Sequence, residues 1–208
     1  MPAPAADAVT GLVLAGGRGA RMGGLDKGLQ AWHGRPLAAQ VVARLAPQVA
    51  SVMISANRNA AAYAALAARV LADEQPGFPG PLAGILAGLR AASTPWLAVV
   101  PCDAPRLPAD LVARLAAGLR DGAAGAVARR THADGRQRLE PVCCLLATAL
   151  ADDLAAALAT GERRAAAWVA RHAAPVDFDR PGDADAFANF NTLAELEGGR
   201  GAGDASPG

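Results

Sequence analysis

Between Leu14 and Gly28 the chain sets six glycines around four charged side chains, Arg18, Arg21, Asp26 and Lys27. Lys27 is the only lysine in 208 residues; the other 19 of the 20 basic residues are arginine. An ammonium is a compact, strongly hydrated point charge on a flexible stem, whereas a guanidinium is a wide planar fork. A tight loop folded over a polyanion has room for the first and often not for the second. Glycines let successive backbone N–H groups turn inward as an anion nest, and Arg18, Arg21 and Lys27 add positive charge. The chemistry this segment suits is the gripping of a phosphate chain. It is not a P-loop, because Lys27 stands between Asp26 and Gly28 and no Gly-Lys-Ser/Thr occurs. Nor is it a dinucleotide fingerprint. From Gly17 the pattern reads Gly-x-Gly-x-x-Met, and the acidic residue expected about 20 positions on is missing. Hydride transfer is therefore not expected.

The elements around this loop alternate. Val9 to Leu14 reads as a short buried strand, and Pro36 to Leu45 as a helix with proline in its first turn. Strands are expected at Val49 to Ser55, Arg69 to Ala72 and Trp96 to Val100, with helices at Asn59 to Ala67, Leu82 to Ala91 and Pro108 to Leu119. Strands alternating with helices of about ten residues predict βαβ units. The fold class is α/β: a three-layer, Rossmann-like open sheet, mainly parallel, with helices on both faces. Beyond Ala124 the rhythm changes. Strands are expected at Ala124 to Ala128 and Leu139 to Leu146 around a basic loop, then helices near Ala147 to Ala159 and Glu162 to Arg171. Short strands near Pro175 to Phe178 and Phe187 to Phe190 follow, and a last helix starts near Thr192. In such sheets ligands bind outside the carboxyl ends of the strands. The loop after Leu14, the turn at Asn57, Asp73 and Asp103 all fall there, bringing a phosphate cradle, an amide and two carboxylates to one edge.

Composition bounds the class. Hydrophobic residues make up 52% with only 4% aromatics, and much of the apolar content is alanine, so closely packed helices are expected. Net charge is +1 and no basic stripe alternates with aromatics, so neither nucleic acid nor membrane is an expected partner. The N-terminus lacks a basic n-region with a long apolar run, and the longest apolar stretch, near Val142 to Ala151, is too short to span a bilayer. The protein is expected to be cytoplasmic and soluble. One domain over residues 1–197 and a disordered, Gly- and Ala-rich tail over 198–208 are expected. Cys102, Cys143 and Cys144 show no metal or disulfide spacing and read as small buried hydrophobes. His33, His132 and His172 are scattered and receive no role.

The run Leu-Ala-Gly-Gly-x-x-x-Arg-Met-Gly-Gly-x-Asp-Lys at Leu14–Lys27 resembles the signature of the nucleotidyltransferases that activate sugars and cofactors. With its paired glycines and the aspartate before lysine, it is similar to the molybdenum cofactor guanylyltransferase branch. Asn57-Arg58, Gly80-Pro81-Leu82-Ala83-Gly84, Pro101-Cys102-Asp103-Ala104-Pro105 and Phe187-Ala188-Asn189-Phe190-Asn191-Thr192 match the same branch, and Gly161-Glu162-Arg163-Arg164 is familiar from it. The likeness spans roughly residues 9 to 197. One departure is Leu193-Ala194-Glu195 where the family continues with Pro-Glu-Glu, which predicts a weaker final helix and no catalytic consequence.

The resemblance implies transfer of GMP from GTP to the terminal phosphate of molybdopterin bearing molybdenum, with release of pyrophosphate. The acceptor is already an anion, so charge neutralisation and in-line alignment are the needs, rather than a base or a covalent nucleophile. Lys27 and Arg21 would neutralise the leaving pyrophosphate. Asp103 would hold Mg²⁺, a hard cation that takes few protein carboxylates beside phosphate oxygens; read plainly, it is a turn residue. Leu14, Ala15, Gly16 and Gly17 would line the nucleotide. Asn57 and Asp73 are candidate contacts to base or ribose, with turn roles as their plain alternative, and carbonyls of Pro79-Gly80-Pro81 can also read the base edge. Arg129, Arg130, Arg136 and Arg138 read equally as an attractor for the acceptor phosphate or as an ordinary solvated loop. Asn189 and Asn191 fall where the family places acceptor contacts. Other proteins of molybdenum cofactor biosynthesis, or the receiving molybdoenzymes, are implied as partners. The rival enzyme is a CTP-dependent nucleotidyltransferase acting on the same cofactor or on a sugar or polyol phosphate. The rival of another class is a non-catalytic cofactor carrier, which would be expected to have lost Lys27, Arg21 or Asp103.

Overall fold

Strand β1, Val9–Leu14, runs through the interior of a sheet with both faces covered, which is why nearly every residue in it is buried. The computed structural model describes residues 3–15, 25–72, 80–120, 123–132, 134–183, 185–188 and 190. Gly16, Gly17, Arg18, Arg21, the segment from Asp73 to Pro79, Asn189, Asn191, the helix expected from Thr192 and the tail lie outside the described residues.

After β1 comes a small hairpin, β2 (Ala31–Trp32) and β3 (Arg35–Pro36), then α1 (Leu37–Leu45), β4 (Ser51–Ser55), α2 (Ala60–Ala64) and β5 (Arg69–Leu71). Next are α3 (Pro81–Ala91), β6 (Trp96–Pro101), α4 (Leu111–Ala117), β7 (Gly125–Thr131), β8 (Gln137–Ala147), α5 (Ala151–Ala159), α6 (Ala165–His172) and β9 (Ala173–Asp177). Among the described residues the main sheet has seven strands, in the order β5-β4-β1-β6-β8-β7-β9. Only β8 runs against its neighbours; the other pairings are parallel. Alternation along β1 divides the core. Val9 and Val13 face a cluster with Val41, Leu45, Leu111, Leu115 and Phe178. Leu12 faces the other side, with Ile85, Leu89, Leu97, Leu154 and Trp168. The expected α/β architecture with three layers is what the chain adopts.

Several expectations need correction. No strand forms at Phe187, Ala188 or Phe190. Both rings are buried by other aromatics instead, Phe187 edge-on to Phe178 with centroids 5.2 Å apart and Phe190 against Trp32 at 5.0 Å. The helix expected over Asn59 to Ala67 shrinks to Ala60–Ala64, because Tyr63 is its only buried anchor; alanine propensity alone does not sustain so short a helix. The helix expected from Pro108 starts at Leu111. Its first turn is capped from far away: Gln48 accepts the Val112 N–H at 2.9 Å and donates to the Pro108 carbonyl at 3.1 Å. The hairpin of β2 and β3 went unforeseen. His33 and Gly34 both take positive φ, 48° and 75°, the conformation a two-residue hairpin turn demands.

Arg114 of α4 ties down the segment after β9. It donates to Asp183 Oδ1 at 3.0 Å and Oδ2 at 2.9 Å and lies 3.8 Å from the centroid of Phe178. Both partners' side chains are only 9% exposed. The Arg114 hydrogen bonds, against the opposing effect of burial, hold the Asp183 carboxyl below its usual range. A depressed folded pKa stabilises fully above the unfolded carboxyl's pKa of about 3.9 and is lost as pH falls through the folded value. Asp183→Asn is therefore expected to cost about 1.5–3 kcal/mol at neutral pH, the range for hydrogen bonds to charged groups. Thermal midpoints measured from pH 7 down to pH 3 should show the gap between wild type and variant closing below pH 4.

Candidate active site

The parallel ladder continues one residue past three strand ends. The Ala15 N–H donates to the Ser55 carbonyl at 2.8 Å, Ala56 to Leu71 at 2.8 Å and Cys102 to Leu14 at 3.0 Å. These bonds fix the points at which the chain leaves β1, β4 and β6, and hence where Asn57 and Asp103 emerge. Helix α3 comes down close on the same edge. A side chain at Gly84 would stand 2.6 Å from Ser55 Oγ and 2.9 Å from Leu14 Cδ2, so glycine is required by contact. The Gly161-Glu162-Arg163-Arg164 turn lies beside this helix start, since the nearest atom to a Cβ built on Gly80 is the Arg163 carbonyl oxygen at 3.9 Å. Glu162 accepts the N–H groups of Arg163 and Arg164, each at 2.9 Å, at the entry to α6. These bonds, the one from Arg164 first, hold its carboxyl low.

Lys27 and Asp103, 76 positions apart in the chain, meet as an ion pair through Asp103 Oδ2. Lys27 opens a short 3₁₀ turn, and Gly28 slots between Tyr63 Oη and Cys102 Sγ where a Cβ would collide with the phenol oxygen. The other carboxylate oxygen of Asp103, Oδ1, is buried and has no hydrogen-bond partner among the described residues. A buried carboxylate oxygen left open beside a cation is a donor suited to a hard divalent ion. Among the described residues no cluster of three or more His, Cys, Asp or Glu side chains converges on one point. A metal here would thus draw its remaining oxygens from ligand and water. The Asp103 carbonyl accepts the Phe190 N–H at 3.1 Å, and Arg106 lies 5.4 Å from the Trp32 ring and 5.6 Å from the Phe190 ring. An aromatic and guanidinium stack thereby docks the end of the described chain against the site.

Tyr63 and Asn59 were not singled out in the sequence. The Tyr63 hydroxyl donates to Asp26 Oδ1 at 2.5 Å and the Asn59 amide to Asp26 Oδ2 at 2.9 Å. Burial first, then the bond to Asp26, pushes the Tyr63 phenol well above its usual range, so it remains a donor. The one available signal was that Tyr63 is the only tyrosine in the chain, placed on an otherwise small-residue helix.

The expected basic loop is a correction. Arg129 and Arg130 lie on β7 and Arg138 on β8, so most of the cluster belongs to a hairpin. Arg129 pairs with Asp177 at 2.6 Å, Arg130 with Glu140 at 3.3 Å and Arg138 with Asp134 at 2.5 Å. The carboxylates had been too distant in sequence, or too ordinary, to be matched to them. Glu140 is pushed up by burial, against the pull of Arg130 and His132. All three cysteines are buried, as expected, and burial raises each thiol, that of Cys144 to about 12.

The MobA-like NTP transferase domain matches residues 11–176. This chain belongs to that family. A molybdenum cofactor guanylyltransferase of Cupriavidus taiwanensis is 53% identical over 92% of this chain and 96% of its own length. Molybdopterin-guanine dinucleotide biosynthesis protein A from Archaeoglobus fulgidus superposes with a TM-score of 0.68 at 23% identity, covering 90% of this chain and 95% of that one. A 4-diphosphocytidyl-2C-methyl-D-erythritol synthase from Anaerococcus prevotii superposes with a TM-score of 0.70 at 8% identity, covering 92% and 94%. At such identities the two solved structures share the scaffold, and what distinguishes the MobA-like chain must lie in its side chains. The protein is a nucleotidyltransferase of the MobA-like family, with its ion pair at the strand edge where sheets of this kind bind ligands. Among the described residues no helix is long and apolar enough to cross a membrane. Because the thiols are buried and held protonated, a disulfide reagent at pH 8 is expected to find no reactive thiol in the native MobA-like fold. Titration in denaturant should reveal three; a reactive native Cys102 would mean that the wall behind Asp103 is open.

Proposed function

We propose that the chain transfers GMP from GTP to the terminal phosphate of molybdopterin bearing molybdenum, releasing pyrophosphate. The observation that carries this reading is the meeting of Lys27 and Asp103 at the carboxyl edge of β1 and β6, in a chain 53% identical to a guanylyltransferase. The donor GTP would lie over that edge. Backbone at Leu14, Ala15, Gly16 and Gly17 would line the nucleotide, with Asn57 and Asp73 toward base or ribose. Lys27 and Arg21 would offset the charge that builds on the leaving pyrophosphate, and such fixed charges in a water-poor site are the largest single contribution to many reactions of this kind. Asp103 would hold Mg²⁺ through Oδ1, the oxygen without a partner among the described residues. When bound there, Mg²⁺ would supply positive charge against the phosphate chain.

No side chain need take a proton, because the attacking group is itself a phosphate anion. What the protein supplies is alignment of that oxygen with the α-phosphorus and exclusion of competing water. Asn189 and Asn191 are assigned to the acceptor side, next to Phe190, whose backbone holds the Asp103 carbonyl. The paired arginines of β7 and β8 are a weaker attractor than four bare charges would be, since three of them already face carboxylates.

Pyrophosphate release should be measured with each of the four nucleoside triphosphates, Mg²⁺ and molybdopterin. GTP is expected to support turnover and CTP is not; turnover with CTP alone would overturn the assignment, and binding without turnover would favour the carrier. Asp103→Ala is expected to lower kcat by about a hundredfold or more, the scale for loss of a group that meets transition-state charge. Its thermal midpoint should stay close to wild type, and retained turnover would remove Asp103 from the metal site.

A further inference from the structure

We propose that Tyr63 is a positioning residue that holds Lys27 in place through Asp26 and Gly28. The part of this claim that concerns phosphate rests on the nucleotidyltransferase reading of Lys27; the part that concerns position does not. Tyr63 is fully buried and is the only buried residue of α2. A phenylalanine would fill the same core, yet here a hydroxyl is buried and spent on one acceptor, Asp26 Oδ1, at 2.5 Å. The Tyr63 phenol oxygen also stands where a Cβ on Gly28 would be, so any side chain there would strike it. The residues on both sides of Lys27 are therefore held by one phenol, one by a charge-assisted hydrogen bond and the other by contact. Asn59 occupies the second oxygen of Asp26 at 2.9 Å, and its left-handed backbone, φ 53°, is the conformation asparagine adopts more readily than most residues.

The consequence is a fixed origin for a flexible side chain. Lysine has four rotatable carbons and loses substantial rotamer freedom when its ammonium is localised. With the backbone clamped on either side, the ammonium reaches Asp103 from a set point. A displacement of about 1 Å at a reacting group can cost about a hundredfold in rate, so this clamp has kinetic weight. It also joins two strand-end loops. Residues 57 to 59 lead directly into α2, so the turn that carries Asn57 and the loop that carries Lys27 are fastened by the same two hydrogen bonds. Asp26 is thereby assigned to anchoring, with both oxygens engaged, rather than to metal binding or proton transfer.

Because Lys27 is the only lysine, protein grown on ¹³C,¹⁵N-lysine reports this residue alone by NMR. In Tyr63→Phe and in Asp26→Asn, the Lys27 ε-carbon and ammonium signals are expected to move from their wild-type positions toward those of Asp103→Asn, where the ion pair is removed. Leu154→Ala, a change in the core on the other face of the sheet, should lower the thermal midpoint and leave the Lys27 signals in place. If Tyr63→Phe proves poorly folded, Asn59→Gly keeps the left-handed backbone, removes the second bond, and should move the same signals less. A Lys27 spectrum unchanged in Tyr63→Phe, or unchanged in Asn59→Gly where that variant stands in, overturns the proposal. In the assay, Tyr63→Phe should lower kcat about tenfold with KM for GTP nearly unchanged, since an interaction made only in the transition state is the one weakened. On a Lys27→Ala background the same change should cost nothing further; an undiminished loss there would also overturn it. If wild type releases pyrophosphate from none of the four nucleotides, the functional reading fails while the NMR comparison still decides the role of Tyr63.

Discussion

The ion pair between Lys27 and Asp103 is the constraint around which the rest of the site is arranged. Its partners lie 76 positions apart and come from loops after neighbouring strands. Neither side chain could reach the other unless β1 and β6 were adjacent, parallel and in register, with Leu14 opposite Pro101. The pair is half-sheltered, with side chains 22% and 14% exposed, so solvent screens it less than it would a surface pair. It leaves one Asp103 oxygen without a partner among the described residues. A site meant only for stability would be expected to satisfy that oxygen, because a buried acceptor without a donor is costly. An unfilled acceptor next to a fixed cation instead suits a ligand that brings both a metal and anionic oxygens.

Small residues make this arrangement possible by letting backbones close up. Gly28 admits Tyr63 and Cys102 to within contact of the Lys27 loop, and Gly84 lets α3 settle on Ser55 and Leu14. Around these contacts the chain uses hydrogen bonds between distant segments as fasteners. Gln48 caps α4, the Phe190 N–H holds the Asp103 carbonyl, and Arg114 grips Asp183. Each fastener is polar and directional, set on an apolar scaffold rich in alanine. A core of small side chains packs densely but specifies orientation weakly, and directional bonds supply what shape alone does not.

Charge is handled in the same way. The chain is nearly neutral overall, +1, and among the described residues several of its arginines face carboxylates. On β7 and β8, Arg129, Arg130 and Arg138 each face an acid. The Lys27 ammonium at the sheet edge is likewise paired, with Asp103. What sets the only lysine apart is its shape: it is the one compact cation in a chain whose other basic side chains are planar forks.

What the residues alone determined was the class of fold and the place of the chemistry. Alternating apolar runs and helical stretches sufficed for the α/β sheet, because burial periodicity is a local property of the chain. The glycine-dense loop and strand-end polar residues located one edge of that sheet, because ligands in open sheets gather at the carboxyl ends. Tertiary structure alone decided partnership. It set Tyr63 and Asn59 on Asp26, matched Arg129, Arg130 and Arg138 to their acids, turned Phe187 and Phe190 from an expected strand into aromatic contacts, and shortened α2 to the length its single buried anchor supports. The reason is physical: a hydrogen bond or ion pair depends on distance in space, and a sequence orders its residues along a line until packing brings distant parts together.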